Sequence, residues 1–449
     1  MIRSALSFLE WTKGVSVIII KPNSRFYIGG NGNMRQLFGN RAFVLLMVSD
    51  FMQNIGIWIR NMALLFFIME KSNHDPVAVS LLTVIEYVPI FVISMIGGVL
   101  ADRWRPKRTM IWGDVLSFLS ILLILFVVLA GYWQAVFAVT LVSAVVSQFS
   151  QPSSMKIIKR CLPDEHVPAA TALSQTLMSL FIILGPMVGT TIYQTFGLLA
   201  SLISLLVLFA ASAIVLTFLP SSVDQAPDTT ESARSLLKDM KAGFSYIASS
   251  RLLKVLLVVY MVLALGSGLV QPLDIFVITE RLQLDMSSVQ WFTALEGLGM
   301  LIGGLIAAVI AGKVKGTYLL FAGLSFLGLS TFVEVLSQWP VLTGTMRFLT
   351  GVLMAMAQTV LMAVMMQQVD EKFIGRLGGV MMPVFTGMML IGSGFTGWYM
   401  SATSIVVVYF TAGALFLLSS FISMKLPISR EPVQEEAEAP VSVNATVKV

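Results

Sequence analysis

The chain has 449 residues, of which 57% are hydrophobic and only 12% are charged, and its mean hydropathy is +0.86. A soluble globular protein carries about twice this charged fraction, so the composition excludes a water-soluble fold. The net charge of +5 would fit a nucleic-acid partner. Basic loops that face the cytoplasm and its anionic lipids explain the charge better. We therefore expect the basic loops to face a lipid bilayer, and we expect no nucleic-acid partner.

Twelve apolar runs are long enough to cross a bilayer, which takes about 20 residues. In chain order the predicted spans lie near 42–69, 77–100, 109–130, 132–155, 167–191, 197–219, 251–279, 288–311, 317–337, 340–366, 377–400 and 403–426. This pattern predicts an all-α membrane protein with twelve transmembrane helices.

The spans divide the chain into five parts. These are a cytoplasmic segment at 1–40, a six-helix bundle at 41–219, a cytoplasmic linker at 220–250, a second six-helix bundle at 251–426 and a disordered cytoplasmic tail at 427–449. Residues 1–33 differ from the rest, and Gly29-Gly30 before Met34 fits a translated ribosome-binding site, so translation is expected to start at Met34. Within the linker, helical spacing predicts a short interfacial helix that carries Leu237, Met240, Phe244 and Ile247.

Basic residues set the orientation. One alternating set of loops, beginning at Met34, holds 21 Lys and Arg residues, whereas the opposite set holds only Lys71 and Arg281. Because basic loops stay on the cytoplasmic side, both termini are expected to be cytoplasmic. We expect a multi-pass protein of the bacterial inner membrane that works as a monomer.

The two halves repeat at a fixed offset. Gly97-Gly98 in span two corresponds to Gly303-Gly304 in span eight, and Asp164-Glu165 after span four corresponds to Asp370-Glu371 after span ten. Both pairs are 206 residues apart (304 − 98 and 370 − 164). The offset indicates duplication of a six-span unit, and parallel halves with a site between them are a common transporter plan.

The loop after span two carries the sequence Gly98-Val99-Leu100-Ala101-Asp102-Arg103-Trp104-Arg105-Pro106-Lys107-Arg108. It resembles the loop 2–3 signature of the major facilitator superfamily, G-x-L-A-D-R-x-G-R-[RK], although Arg105 and Pro106 depart from it. The alternative is an ordinary basic loop. The resemblance implies a charge latch on the cytoplasmic side, formed by Gly98, Asp102, Arg103, Lys107 and Arg108. We expect Asp114 to belong to this latch and not to the solute site.

Further stretches resemble the drug:proton antiporter family 3, the branch of macrolide-efflux and enterobactin-exporting proteins. They are Phe149-Ser150-Gln151-Pro152, Leu162-Pro163-Asp164-Glu165, Ala169-Ala170-Thr171-Ala172-Leu173, Gln367, Asp370-Glu371 and Gly375-Arg376. The resemblance covers Arg41 to Leu426. In span five Gly185, Pro186 and Gly189 resemble the antiporter motif that the family associates with export, although Leu177 stands where a glycine is expected. Packing alone also explains a proline flanked by glycines.

Ionisable groups inside a membrane cost at least about 2.5–3.5 kcal/mol each at its centre. Span one contains Asp50, Gln53, Asn54, Arg60 and Asn61, which fall within about 120° of one helix face. This polar stripe predicts a water-filled cavity.

Glu86 in span two lies at the same depth as Arg60, which predicts either a fixed ion pair or a pair that opens when Glu86 takes a proton. Glu296 in span eight has no basic neighbour in sequence, so we expect it either to carry a proton or to bond a polar neighbour. Glu334 and Arg347 are expected to pair at the membrane interface, and Asp274 to lie in a gate or loop.

Three functions remain open. The first is a proton-coupled exporter of drugs or of a secreted amphipathic metabolite, with Asp50, Gln53, Asn54, Arg60, Glu86 and Glu296 as its cavity and coupling residues. The second is an importer or facilitator of a small nutrient on the same fold. A membrane enzyme or scaffold is disfavoured, because no nucleophile–base set, metal cluster or phosphate-binding loop is found. The proton gradient is the expected energy source, with no cofactor, no metal and no catalytic residue.

Overall fold

A computed structural model describes residues 37–103, 105–148, 150–163, 165–224, 234–310, 316–368 and 371–426. Throughout these ranges the chain is helical or in short turns, and none of them contains a β-strand. The predicted start at Met34 and the predicted disordered tail lie outside the described residues.

Twelve membrane segments are confirmed. Nine of them are separate helices: Arg41–Lys71, Pro76–Arg103, Pro106–Leu129, Arg251–Val270, Val289–Ile310, Gly316–Leu336, Pro340–Gln368, Glu371–Ala402 and Ile405–Ser423. These are spans one, two, three and seven to twelve. Spans five and six are two helices that follow each other without a loop within Val167–Thr217, and they are separated by the non-helical residue Gly197, where φ is 77°. Only glycine adopts such a backbone angle without strain.

Span four differs from the prediction of one helix over 132–155. The structure has two helices, Ala135–Ser147 and Ser150–Cys161. The second is polar and begins where Gln148 to Gln151 interrupt the apolar run. A polar helix of this kind fits a position at the mouth of a cavity rather than against lipid.

The helix starts follow from local sequence. Asn40, Ser250 and Ser404 each accept a hydrogen bond from a backbone N–H three residues later, which caps spans one, seven and twelve. Pro76 and Pro106 begin spans two and three, where a missing N–H costs nothing.

Span seven is irregular near one end. After Arg251–Val270 comes a 3₁₀ turn at Gln271–Leu273, one short α-turn at Asp274–Phe276 and a π-turn at Val277–Arg281. Pro272 cannot donate a backbone hydrogen bond, which explains why the regular helix stops there. Breaks of this kind inside a membrane often mark functional positions.

Helix pairing confirms the internal duplication. Span two packs on span four and span eight on span ten; span one packs on span five and span seven on span eleven. Between the halves, span two contacts span eleven and span eight contacts span five. Each pair within the N-half has its equivalent six spans later in the C-half, and the two contacts between the halves are equivalent to each other. The architecture is therefore two pseudo-symmetric six-helix bundles, the N-half and the C-half.

Spans eight and ten touch backbone to backbone. A Cβ atom added at Gly299, Gly303 or Gly351 would collide with the carbonyl oxygen of Phe348, Val352 or Glu296 respectively. Small residues allow this approach in membranes, where dispersion contacts and not the hydrophobic effect hold helices together. The Glu296 carbonyl touches Gly351, which lies one helical turn after Arg347 on span ten, so the close packing brings Glu296 near Arg347.

The two ends of the bundle differ in how the halves meet. We call the end that carries Lys107, Arg108 and Lys254 the basic end, and the other the opposite end. At the opposite end one hydrophobic cluster joins the halves, with Phe66 and Val79 against Phe276 and Phe292. At the basic end the described apolar clusters each belong to one half, around Phe43 or around Leu253.

The linker contains the predicted helix, Arg234–Ser249. Ile247 is buried against the C-half cluster that contains Leu252 and Leu426, whereas Phe244 is exposed. The side chains of Leu237 and Met240 lie outside the described residues. The end of the linker helix is therefore anchored to the C-half.

Candidate functional site

A central cavity of about 320 Å³ lies against the N-half. Most of its polar lining comes from the predicted face of span one and from span two, at Asp50, Gln53, Asn54, Arg60, Asn61, Glu86 and Tyr87, and spans four and five add Gln148, Ser154 and Ser174. Its apolar lining consists of Met47, Ile57, Ile90, Ala144, Met155, Ile158, Leu177 and Met178. A cavity with a few polar groups among flexible apolar side chains suits an amphipathic solute.

Asp50 lies at the wall of this cavity and has a neutral partner. Its Oδ2 accepts a hydrogen bond of 2.8 Å from the Ser154 hydroxyl, on the second helix of span four. Its backbone carbonyl accepts a bond of 2.7 Å from the Asn54 amide. Because no cation contacts Asp50 in the part of the chain that is described, its charge can change without breaking an ion pair.

Asp114 lies in the bundle interior and bonds the cavity-lining helix, while its predicted part in the loop 2–3 latch stays a prediction. The Gln53 amide donates to Asp114 Oδ1 at 2.8 Å, and Asp114 is only 1% exposed. Gln53 also approaches Ser49 and Ser212, whose hydroxyls bond each other at 2.8 Å. Asp114 therefore links span three to the cavity-lining face of span one.

Arg60 and Glu86 line the same cavity without forming a direct pair. The guanidinium of Arg60 donates to Asn61 Oδ1 at 3.1 and 3.2 Å and to the Ser143 hydroxyl at 3.1 Å. Glu86 acts on Arg60 electrostatically, but no contact within 4 Å joins them among the described residues. Depth matching thus located both groups correctly, whereas the ion pair predicted from it is absent in this conformation.

The C-half holds a charge cluster, which we define as Asp274, Glu296, Glu334 and Arg347. Arg347 is 4% exposed and binds Asp274 with two N–H groups, one at 2.8 Å, while its Nε lies 3.3 Å from Glu334. The predicted pairing of Glu334 with Arg347 is present, with both side chains buried in the bundle, and Asp274 joins it through Arg347. The place of Asp274 in a gate stays a prediction.

Glu296 also has a basic neighbour that the sequence did not reveal. Arg347 acts on it electrostatically from span ten, because the glycine contacts bring spans eight and ten together. In the described part of the chain Glu296 makes no direct ion pair or hydrogen bond. The cluster thus has three carboxylates around one guanidinium.

A second cavity of about 280 Å³ lies between the halves, toward the opposite end. It shares Asn61, Glu86 and Tyr87 with the central cavity, and Asp274 lies on its other wall. The Gln271 amide donates to the Tyr87 hydroxyl at 2.9 Å and so connects span seven to span two. This bond stands at the boundary of the two cavities.

The described part of the loop 2–3 motif fastens the N-half to the linker. Lys107 donates to the carbonyls of Thr217, at 2.8 Å, and Leu219 at the end of span six, where a cation also favours the helix dipole. Arg108 pairs with Asp224 at 3.3 Å. The side chains of Gly98, Asp102 and Arg103 lie outside the described residues, so the latch itself stays a prediction.

The span-five motif is a packing site against span one. A Cβ atom at Gly185 would collide with the Trp58 ring, and one at Gly189 would lie 2.7 Å from the Trp58 carbonyl oxygen. Pro186 is buried between them. Trp58 also lines the second cavity, so the motif sets the position of a cavity wall.

Closure at the opposite end depends on a glycine. A Cβ atom at Gly397 in span eleven would lie 2.7 Å from the carbonyl oxygen of Pro76 and would collide with the Ser80 hydroxyl. Gly394, one turn earlier on the same span, has room, since its Cβ would lie 3.8 Å from Val84. We expect Gly397→Ala to weaken closure at this end, because backbone atoms cannot move aside as side chains do.

The measurement is labelling of a single cysteine in place of Asn61 by a membrane-impermeant maleimide, in a background with Cys161 replaced by serine. Gly397→Ala should raise the labelling rate from the opposite end severalfold, while the matched control Gly394→Ala should leave it unchanged. Equal rates in both variants would contradict the assigned role of Gly397.

Several residues of the site could not be found from sequence. Asp224, Ser154 and Ser143 carry no pattern of their own, and Tyr87 and Gln271 stand 184 positions apart. Only the proline after Gln271 marks the break in span seven.

Twelve membrane helices in two related halves, with charged cavities at their interface, define a polytopic membrane transporter. The chain belongs to the Major Facilitator Superfamily, whose family model matches residues 46–278 and 256–447. This confirms the family resemblance in the loop 2–3 motif and assigns the chain to a class of transporters of small molecules, not to a class of enzymes.

Characterised and uncharacterised relatives agree with this assignment. An uncharacterised MFS-type transporter of Bacillus subtilis, YkuC, is 25% identical over 85% of this chain and 91% of its own length. Macrolide efflux protein A of Streptococcus pyogenes is 25% identical over 62% of this chain and 68% of its own length. The enterobactin exporter EntS of Shigella flexneri is 25% identical over 78% of this chain and 82% of its own length. These relatives include a macrolide efflux protein and an enterobactin exporter, the two kinds of protein that the predicted branch contains.

A solved structure shows the same fold. The nucleoside transporter NupG superposes with a TM-score of 0.69 at 13% identity, covering 85% of this chain and 99% of that one. At this identity the match supports the architecture alone.

Proposed function

We propose that this protein is a proton-coupled exporter of amphipathic small molecules that works by alternating access. The observation that carries the proposal is the central cavity, in which Asp50, Arg60 and Glu86 stand among methionine and branched apolar side chains. Relatives named as a macrolide efflux protein and an enterobactin exporter support the outward direction.

The proposal includes an orientation. The basic end faces the cytoplasm, since Lys107, Arg108, Arg160 and Lys254 lie there, and both termini are then cytoplasmic. The membrane is a bacterial inner membrane, which fits the bacterial relatives. In this orientation the hydrophobic cluster that joins the halves lies on the outer side of the membrane, which fits a state closed toward the outside.

Coupling is assigned to carboxylates that can change charge without losing an ion-pair partner. Asp50 has only a hydroxyl donor, and Glu86 and Glu296 have no direct partner among the described residues. A proton bound from outside at these positions would lower the cost of carrying them through a closed state. The proton gradient is then the energy source, and neither a cofactor, a catalytic step nor a second protein subunit is required.

The test uses purified protein in liposomes and three probes: a radiolabelled macrolide, enterobactin and ethidium. Protein inserted with the basic end outward should accumulate at least one probe inside the vesicles when the interior is acidic, and should stop when the pH gradient is collapsed. Accumulation driven in the reverse direction favours the alternative, an importer or facilitator. Movement of no probe under either gradient contradicts the proposed function.

A further inference from the structure

Tyr409 in span twelve carries a buried hydroxyl without a partner. The residue is 0% exposed, and no hydrogen-bond partner of its Oη is found among the described residues. Leaving a buried polar group unpaired costs about 1–3 kcal/mol, and a phenylalanine would fill the same space without this cost. The hydroxyl therefore calls for an explanation beyond packing.

The surroundings of this hydroxyl are charged. Tyr409 packs in the hydrophobic cluster that also contains Leu273 and Ile275, the two neighbours of Asp274 in sequence, and Asp274, Arg347 and Glu334 act on it electrostatically. A second buried hydroxyl without a hydrogen-bond partner among the described residues belongs to Thr343, one turn before Arg347 on the same helix. Arg347 Nε lacks hydrogen-bond geometry as well, although it lies 3.3 Å from Glu334.

This concentration of unused donors has a physical consequence. In the present conformation Arg347 donates two hydrogen bonds to Asp274, and its Nε lies 3.3 Å from Glu334. Arg347 also acts on Glu296 electrostatically. One guanidinium cannot neutralise three carboxylates. When Glu296 and Glu334 are both ionised they attract Arg347, and Asp274 loses its donors unless another group replaces them.

We propose that Tyr409 is a positioning residue of the transport cycle, whose hydroxyl becomes the hydrogen-bond donor to Asp274 when Arg347 releases that carboxylate. This inference rests on the proposed function and adds the internal switch that links the coupling acids to the interface between the halves. Asp274 is suited to move because it lies in the irregular part of span seven. Glu86 of the N-half lines the same second cavity as Asp274, on the other side of the interface.

The switch explains how a charge change is transmitted. Arg347 on span ten bonds Asp274 on span seven, and Asp274 acts electrostatically on Glu296 of span eight, Glu334 of span nine and Tyr409 of span twelve. Asp274 precedes the π-turn and follows Gln271, which bonds Tyr87 across the interface. A shift of Asp274 from Arg347 to Tyr409 therefore moves the segment that holds the two halves together.

The test is Tyr409→Phe, which removes only the unused donor. We expect the thermal unfolding midpoint of the resting protein to stay equal or rise, since an unpaired buried hydroxyl is gone, while the turnover number for probe efflux falls at least fivefold at unchanged probe affinity. Tyr399→Phe is the matched control: its hydroxyl bonds Thr411 at 2.9 Å, so its loss should lower the midpoint slightly and leave turnover unchanged.

A second variant tests the link to Asp274. In an Asp274→Ala background, which lacks the acceptor, Tyr409→Phe should cause no further fall in turnover, because both changes remove the same bond. If the two losses in turnover multiply in the double variant, the inference is overturned. A Tyr409→Phe protein with a lower midpoint and normal turnover would also overturn it and would indicate a structural role through an ordered water. If the wild-type protein itself moves none of the three probes, the proposed function fails and not this switch alone.

Discussion

Arg347→Gln should abolish transport and should destabilise the protein more than any other single change in the cavities. The substitution leaves Asp274 and Glu334 without their cation in an interior where Glu334 and Arg347 are 8% and 4% exposed. Removing one partner of a buried ion pair costs about 3–5 kcal/mol, since the remaining charge has neither water nor a counter-charge. Thermal unfolding in detergent and probe efflux from vesicles measure the two effects.

The matched control is Arg60→Gln. Arg60 is buried to the same degree, 5% exposed, but its direct partners are the neutral side chains of Asn61 and Ser143. Its loss should lower the unfolding midpoint less, because no directly bonded carboxylate is stranded. Adding Asp274→Asn and Glu334→Gln to Arg347→Gln should restore much of the stability without restoring transport. Equal midpoints for the two arginine variants would contradict the assigned difference.

Periodicity and charge predicted most of the fold. The length of each apolar run gives one membrane crossing, and the 206-residue offset gives the duplication that the helix pairs confirm. Span four is the exception. Its polar second helix, Ser150–Cys161, was not separated from the apolar run, because hydropathy averages over a window and hides a break of two residues.

The polar face of span one was predictable for a physical reason. Asp50, Asn54 and Arg60 share one face of one helix, and lipid does not tolerate such a face, so a cavity was the only outcome consistent with their cost. No contact between distant spans was needed for that conclusion.

Contacts between distant spans were the part that sequence could not supply. Asp114 was assigned to the nearest charged loop, yet Gln53, 61 positions away, is its partner. Glu296 lacked a basic neighbour in sequence, yet three glycine contacts between spans eight and ten bring Arg347 to it. In each case the decisive quantity is the distance between helix axes, which small residues set and which hydropathy does not record.

Neutralising the coupling acids should remove proton-driven efflux while sparing probe binding. Glu296→Gln and Asp50→Asn fix the uncharged form of two carboxyl groups that line or adjoin the transport path. Asp50 has only the Ser154 hydroxyl as side-chain partner, and Glu296 has no direct partner in the described residues, so neither change strands a buried cation that was bonded to it. We therefore expect near-normal stability, in contrast to Arg347→Gln.

The measurement is probe accumulation under an imposed pH gradient, alongside probe binding to purified protein. Both variants should lose at least tenfold of the gradient-driven rate, keep the wild-type dissociation constant within about twofold (less than about 0.5 kcal/mol), and retain exchange of internal for external probe, which needs no net proton movement. Glu165→Gln is the matched control, since the Glu165 side chain is 78% exposed and outside the cavities. Gradient-driven accumulation in both acid variants would contradict this assignment, because neither group could then carry the coupling proton and another residue would have to do so.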